Sequence, residues 1–150
     1  MFVLGLSMML AVAGRVVMGV DPCAQYANGC SVPLHMPLFY KTLFTPSCNR
    51  HDVCYRCGAK YGISKDTCDS AFLHHMEAAC AVHDASRRHI SLQSSSSSSA
   101  SHLQKRSACT VFAKDVFYEA VHIFGGLFYH DVDGTASFCS EPTAVSCLHD

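Results

Sequence analysis

Ten cysteines in a chain of 150 residues restrict this fold more than any other feature. An even number of cysteines at that density reads as a disulfide framework, and such a framework forms and persists only in an oxidising compartment. The length supports one domain with a modest apolar core, so covalent staples have much to contribute. The N-terminal stretch agrees with export. Phe2 to Ala13 is apolar over about the length of a signal-peptide core, too short for a membrane span, and the small residues Ala13, Gly14 and Gly19 follow. Residues 1–19 are therefore expected to be a signal peptide, and the remainder to be secreted and extracellular.

Residues 87–106 (RRHISLQSSSSSSASHLQKR) differ from everything around them. They open on Arg87-Arg88, close on Lys105-Arg106, contain a run of six serines and hold no cysteine. Polyserine buries too little apolar surface to offset its ordering entropy, which predicts disorder. Two dibasic pairs bracketing such a segment in a secreted precursor predict an excised connecting peptide, leaving a first chain of 20–86 and a second of 107–150. The first carries five basic against six acidic residues and the second one against six, a net charge of −6 for the pair. With no basic patch surviving, nucleic acid is excluded as a partner class, and an anionic membrane would offer little electrostatic attraction.

Three helices are expected, and with them an all-α fold. Thr45-Pro46 reads as a cap followed by proline in the first helical position, and Gly62 as a left-handed stop, which predicts a helix from about Pro46 to Tyr61. Cys48, His51, Cys54, Tyr55 and Gly58 fall on one face of it, while Asp52 lies about a quarter-turn away. His51 should look inward and Asp52 toward a flanking loop. A second helix is expected after the cap Ser64, running to about Val82. Asp69 stands there within about 40° of the apolar residues Leu73, Met76 and Cys80. A carboxylate on that stripe needs a donor, and the His51 ring N–H is the obvious one. A third helix, about Thr110 to Phe124, stops at Gly125-Gly126, and Asp133-Gly134 predicts a hairpin turn in the tail.

The chemistry open to CNRHDVCYRCG, residues 48–58, can be narrowed. Ligands spaced by threes along one continuous helix cannot surround zinc tetrahedrally, and secreted thiols are mostly oxidised. A staple with an incidental His-Asp pair leaves His51, Asp52 and Asp69 unexplained. Acting together, a histidine oriented by a buried carboxylate serves as general base toward water, and a neighbouring carboxylate suits a hard cation. No Gly-x-Ser-x-Gly elbow is present. Direct attack by water is the reaction these groups fit.

Cys48-x-x-His51-Asp52, then Asp69-Ser70-Ala71-Phe72 with Met76 and Cys80 beyond, then FYEAVHIFG at 117–125 together resemble the secreted phospholipases A2 of the small bacterial and fungal type. The two-chain layout is most similar to the two-chain phospholipases of venom. The resemblance spans about residues 23 to 125 without the linker. It implies a disulfide-stapled antiparallel helix pair plus a third helix, with a calcium-binding loop before the catalytic helix. It implies that His51 activates the water attacking the sn-2 ester, that Asp69 orients His51, and that Ca2+ is held by Asp52 with Asn28 and Gly29. Where the family has an aspartate this chain has Asn28, which keeps an oxygen but drops a charge and lowers the expected affinity. The same resemblance implies the pairs Cys30–Cys48 and Cys80–Cys109, the latter joining the two chains. The partners of Cys23, Cys54, Cys57, Cys68, Cys139 and Cys147 stay open. The implied substrate is phospholipid at a membrane or micelle interface. The rivals are a two-chain toxin that binds a channel or receptor without catalysis, and an insulin-like hormone, which has no use for the three aligned polar residues.

Overall fold

The computed structural model describes residues 20–31, 39–92 and 107–148, so the expected signal peptide and the serine run lie outside the described residues. No strand occurs among the described residues, and none of their helices is long and apolar enough to cross a membrane. The fold is all-α and stapled by disulfides, as expected.

Helix α1 (Lys41–Cys57) starts a full turn before the expected Thr45-Pro46 signal and places Pro46 inside the helix. Tyr40 precedes it in a left-handed conformation, φ 65°. Packing overrides local preference here. Phe44 in that first turn is fully buried, with Tyr40 and Leu43 against the same core, while the Thr45 hydroxyl donates to the Lys41 carbonyl at 2.9 Å. A tighter turn over Gly58–Tyr61 follows, and Gly62, at φ 71°, ends it as expected.

Ser64 then caps helix α2 (Lys65–Leu92), its hydroxyl accepting from Thr67 N at 3.2 Å. This helix runs ten residues past the expected end near Val82, so Arg87 and Arg88 are helical rather than part of a disordered segment. Once nucleated, a helix extends at one hydrogen bond per residue, and nothing in Val82–Leu92 breaks it.

The third helical column is continuous but not uniform. Helix α3 (Ala108–Phe112), capped by Ser107, widens into a π-helical stretch over Ala113–Tyr118 and returns as α4 (Glu119–Phe124). The expected hairpin is absent. Gly134 N closes a turn onto Asp131 O at 3.2 Å, but His130 N is already committed to Tyr55 O of α1 at 3.0 Å. The tail's main chain is spent on α1 and on its own turns instead of a ladder, and it ends in helix α5 (Pro142–Ser146).

Helices α1 and α2 pack antiparallel. Going up α2, Cys68 bonds Cys54, Asp69 meets His51, and Met76 joins the cluster of Phe44. That cluster takes in Phe72, Cys80, Cys109, Ala113 and Phe117, with Phe44 and Phe117 edge to face at 5.1 Å. The tail packs on a second cluster in which four of the five buried residues are cysteines. Disulfides thus supply most of the buried side chains of this second cluster. Cys30–Cys48 and Cys80–Cys109 form as expected, and the open partners resolve as Cys23–Cys147, Cys54–Cys68 and Cys57–Cys139. Each is worth about 2 to 4 kcal/mol. Three of them, Cys23–Cys147, Cys57–Cys139 and Cys80–Cys109, join residues before 87 to residues after 106.

Candidate active site

The inward face of α1 presents His51 and Tyr55 to the start of α2, where Asp69 is completely buried. His51 Nε2 lies 2.9 Å from Asp69 Oδ1. The Tyr55 hydroxyl donates to the same oxygen at 2.6 Å, and Lys65 Nζ donates to Oδ2 at 2.7 Å. Burial by itself would push the Asp69 carboxyl up, but the hydrogen bonds from His51, Lys65 and Tyr55 outweigh it and hold the pKa at about 2. The carboxylate is therefore ionised and can only accept, which fixes the proton of a neutral His51 on Nε2 and leaves Nδ1 as the basic nitrogen. The His51 ring lies nearly parallel to Phe72, centroids 4.6 Å apart, with Tyr55 at 4.0 Å. Gly125 makes room for this arrangement, because a Cβ there would overlap the Tyr55 hydroxyl.

The low pKa of Asp69 makes a pH prediction. Its folded value lies below the ordinary carboxylate value, so the unfolded chain binds that proton more readily. The stabilisation is complete above about pH 4 and is lost as pH falls from about 4 toward 2, a change of roughly 2 to 3 kcal/mol. The unfolding free energy lost between pH 5 and pH 2.5 should be smaller in Asp69→Asn than in the unsubstituted protein by roughly 1 to 2 kcal/mol, read from denaturant unfolding at the two pH values.

Asp52 leaves α1 in another direction, and its Oδ2 accepts from Asn28 N at 3.0 Å. Burial pushes its carboxyl up, although the Asn28 N–H and nearby Arg56 and His51 oppose this. The loop that carries Asn28 and Gly29 is fastened to α1 at several points. The Cys30–Cys48 bridge holds one end, Asn49 Nδ2 donates to Asp21 Oδ2 at 2.7 Å, and Arg56 Nη1 donates to Tyr26 O at 2.6 Å. Gly29 adopts φ 71°, a conformation glycine accepts without strain. The donors that Asp52, Asn28 and Gly29 can offer are all oxygen, which suits a hard cation such as Ca2+. A second group, Asp66, Asp69 and His122, brings its ligand atoms within 4.8 Å of one another. Its central oxygen already faces the Lys65 ammonium.

Gly29, Ser31, His51 and Asp52 line a cleft of about 80 Å³ together with the apolar residues Phe72, Val116, Phe117, Ala120 and Val121. Its free space is well below that of a whole small-molecule site, roughly 300 Å³ or more, so it admits a reacting group and not a complete lipid. His51, Asp69, Asp52, Asn28 and Gly29, the residues singled out from sequence, thus gather around one opening or directly behind it. Lys65 and the loop fasteners Asn49 and Arg56 were not singled out. The four-residue step from Lys65 to Asp69 was the available signal for the first; nothing local marks the other two.

Comparison with known proteins yields relatives from cone snails. The chain is 40% identical over 80 residues to Conodipine-P3 of Conus purpurascens, covering 53% of this chain and 41% of that protein. Conodipine-P1 of the same species matches to the same extent. These matches span about two-fifths of the length of those relatives. Conodipine-M alpha chain of Conus magus is 44% identical over 59 residues, 39% of this chain and 75% of that one. No family model matches, and no solved structure does, so the likeness to bacterial and fungal enzymes gains no support from them. The identity to Conodipine-M alpha chain, over three-quarters of that chain's length, is what decides the relationship: the chain belongs to the conodipine family.

Proposed function

We propose that this is a secreted, calcium-dependent venom phospholipase A2 that hydrolyses the sn-2 ester of glycerophospholipids. The observation that carries the reading is the 2.9 Å contact between His51 Nε2 and the ionised, buried Asp69, at a cleft lined by both polar and apolar residues. In this reading His51 Nδ1 takes a proton from water as the water attacks the ester carbonyl. Asp69 faces the imidazolium that forms and keeps its charge throughout. Phe72 and Tyr55 restrict the swing of the ring. Asp52, with Asn28 and Gly29, would hold Ca2+, which when bound supplies positive charge for the oxygen that becomes negative.

The apolar part of the lining also points to a lipid substrate. Ile123 and Phe124, three residues beyond cleft-lining Ala120 and Val121, are 64% and 58% exposed, and Leu127 and Phe128 beyond them are exposed too. Exposed apolar residues thus follow the cleft-lining ones along the chain, as suits an enzyme working at a lipid boundary. The name of Conodipine-M alpha chain describes one chain among others, and we read the present sequence likewise as two chains, 20–86 and 107–150, after removal of 87–106. Arg87-Arg88 sits within α2, so cutting there needs the end of that helix to unwind. Three disulfides would hold the products together.

The test is hydrolysis of sn-2-labelled phosphatidylcholine vesicles by the mature protein, with its chain ends read by mass spectrometry. Release of the sn-2 acid in calcium, abolished by EDTA, is the expected result. Absence of release in calcium, with the fold intact, refutes the enzyme reading; toxicity surviving in that same protein would establish the binding toxin.

A further inference from the structure

The chemistry above uses one oxygen of Asp69, yet the carboxylate is held at both. Oδ1 takes His51 and Tyr55. Oδ2 takes the Lys65 ammonium at 2.7 Å, and the same ammonium donates to the main-chain carbonyl of His122 at 3.2 Å. An exposed pair four residues apart on a helix contributes only tenths of a kcal/mol. This pair differs, because it ends on a carboxylate with no exposure and its lysine side chain is 21% exposed. His122 lies in the last turn of α4, where helical carbonyls lack helical donors and the dipole favours a cation. The His122 ring itself is 3.8 Å from Oδ2, beyond hydrogen-bonding range, and stacks on Tyr118. Lys65 is therefore the charge that answers the one fully buried carboxylate of the Asp66, Asp69 and His122 group.

We propose that Lys65 is a positioning residue for the His51–Asp69 pair, and that through His122 it makes their alignment depend on the second half of the chain. A carboxylate anchored at one oxygen can still rotate about its Cβ–Cγ bond; anchored at both, it presents Oδ1 to the imidazole in a single orientation. Residues 20–86 alone supply His51, Asp69 and Lys65, but the carbonyl that fixes the lysine comes from 107–148. The consequence for rate rests on the phospholipase reading; the alignment of the pair does not.

The experiment compares Lys65→Met and Lys65→Arg in the full, disulfide-bonded protein by two readouts. One is kcat and KM on sn-2-labelled phosphatidylcholine; the other is the proton NMR signal of the His51 Nε2–H, which is sharp only while that bond is protected. Lys65→Met should lower kcat about tenfold with KM unchanged and broaden the signal, and Lys65→Arg should restore both. A sharp signal in Lys65→Met overturns the proposal whatever the activity. A signal that broadens in Lys65→Met, in a protein that hydrolyses nothing even unsubstituted, would uphold the positioning role and remove the phospholipase reading. Should Lys65→Met fail to fold by circular dichroism, Lys65→Ala, which removes the donor and lets water reach the carboxylate without anchoring it, is read by the same two criteria.

Discussion

Replacing His51 by glutamine is expected to lower turnover on sn-2-labelled phosphatidylcholine by about 10²- to 10⁴-fold, the usual contribution of a positioned general base. The choice of glutamine matters. Asp69 is fully buried and needs its donors, and a glutamine amide N–H can replace the one lost from His51 Nε2, so no acceptor is left unsatisfied. What glutamine lacks is a nitrogen that can take a proton. Circular dichroism and disulfide content should therefore match the unsubstituted protein while activity collapses. Turnover within about threefold of the starting protein would take His51 out of the reaction.

Calcium withdrawal and Asp52→Asn should each reduce turnover by about 10²- to 10³-fold, comparable to removing one preorganised electrostatic stabiliser. The substitution preserves shape and the oxygen that meets Asn28 N at 3.0 Å, but it removes the only formal negative charge among the three proposed ligands. A binding readout separates this from simple damage. Millimolar Ca2+ should raise the thermal midpoint of the unsubstituted protein, since a ligand that binds only the folded state stabilises it by mass action, and should leave Asp52→Asn unmoved. Asn28→Asp should tighten binding by restoring a second charge. An Asp52→Asn protein that still responds to calcium and still turns over would place the ion elsewhere.

Much of this site was legible because helices repeat. His51 and Asp69 each fall on an inward face by spacing alone, and a buried carboxylate must find a donor, so their meeting followed from geometry and electrostatics. Asp52 was separable from His51 by the same angular argument. Pro46 misled, because it reads as the first helical position unless one knows that Phe44, two residues earlier, is completely buried and draws the helix start back. The π-helical stretch at Ala113–Tyr118, which carries Val116 and Phe117 of the cleft, has no local signature in the sequence. Cys54, Cys57 and Cys68 could not be paired from sequence, since spacing does not determine connectivity. Asp133-Gly134 did yield a turn, but a hairpin needs two free strand edges, and His130 had already given its N–H to Tyr55.

On the proposed removal of residues 87–106, the three cross-links that straddle them dictate an order of maturation. While the precursor is intact, Cys80 and Cys109 are separated by 29 residues of one polymer, and closing a loop of that size costs little more than closing a short one. Severed first, the same thiols must find each other by diffusion at the concentration of the secretory lumen, without the high effective concentration a tether provides. Oxidation must therefore precede proteolysis. Reduced halves mixed as separate peptides should regain native pairing with a yield that depends on concentration, whereas the reduced precursor should refold with a yield that does not.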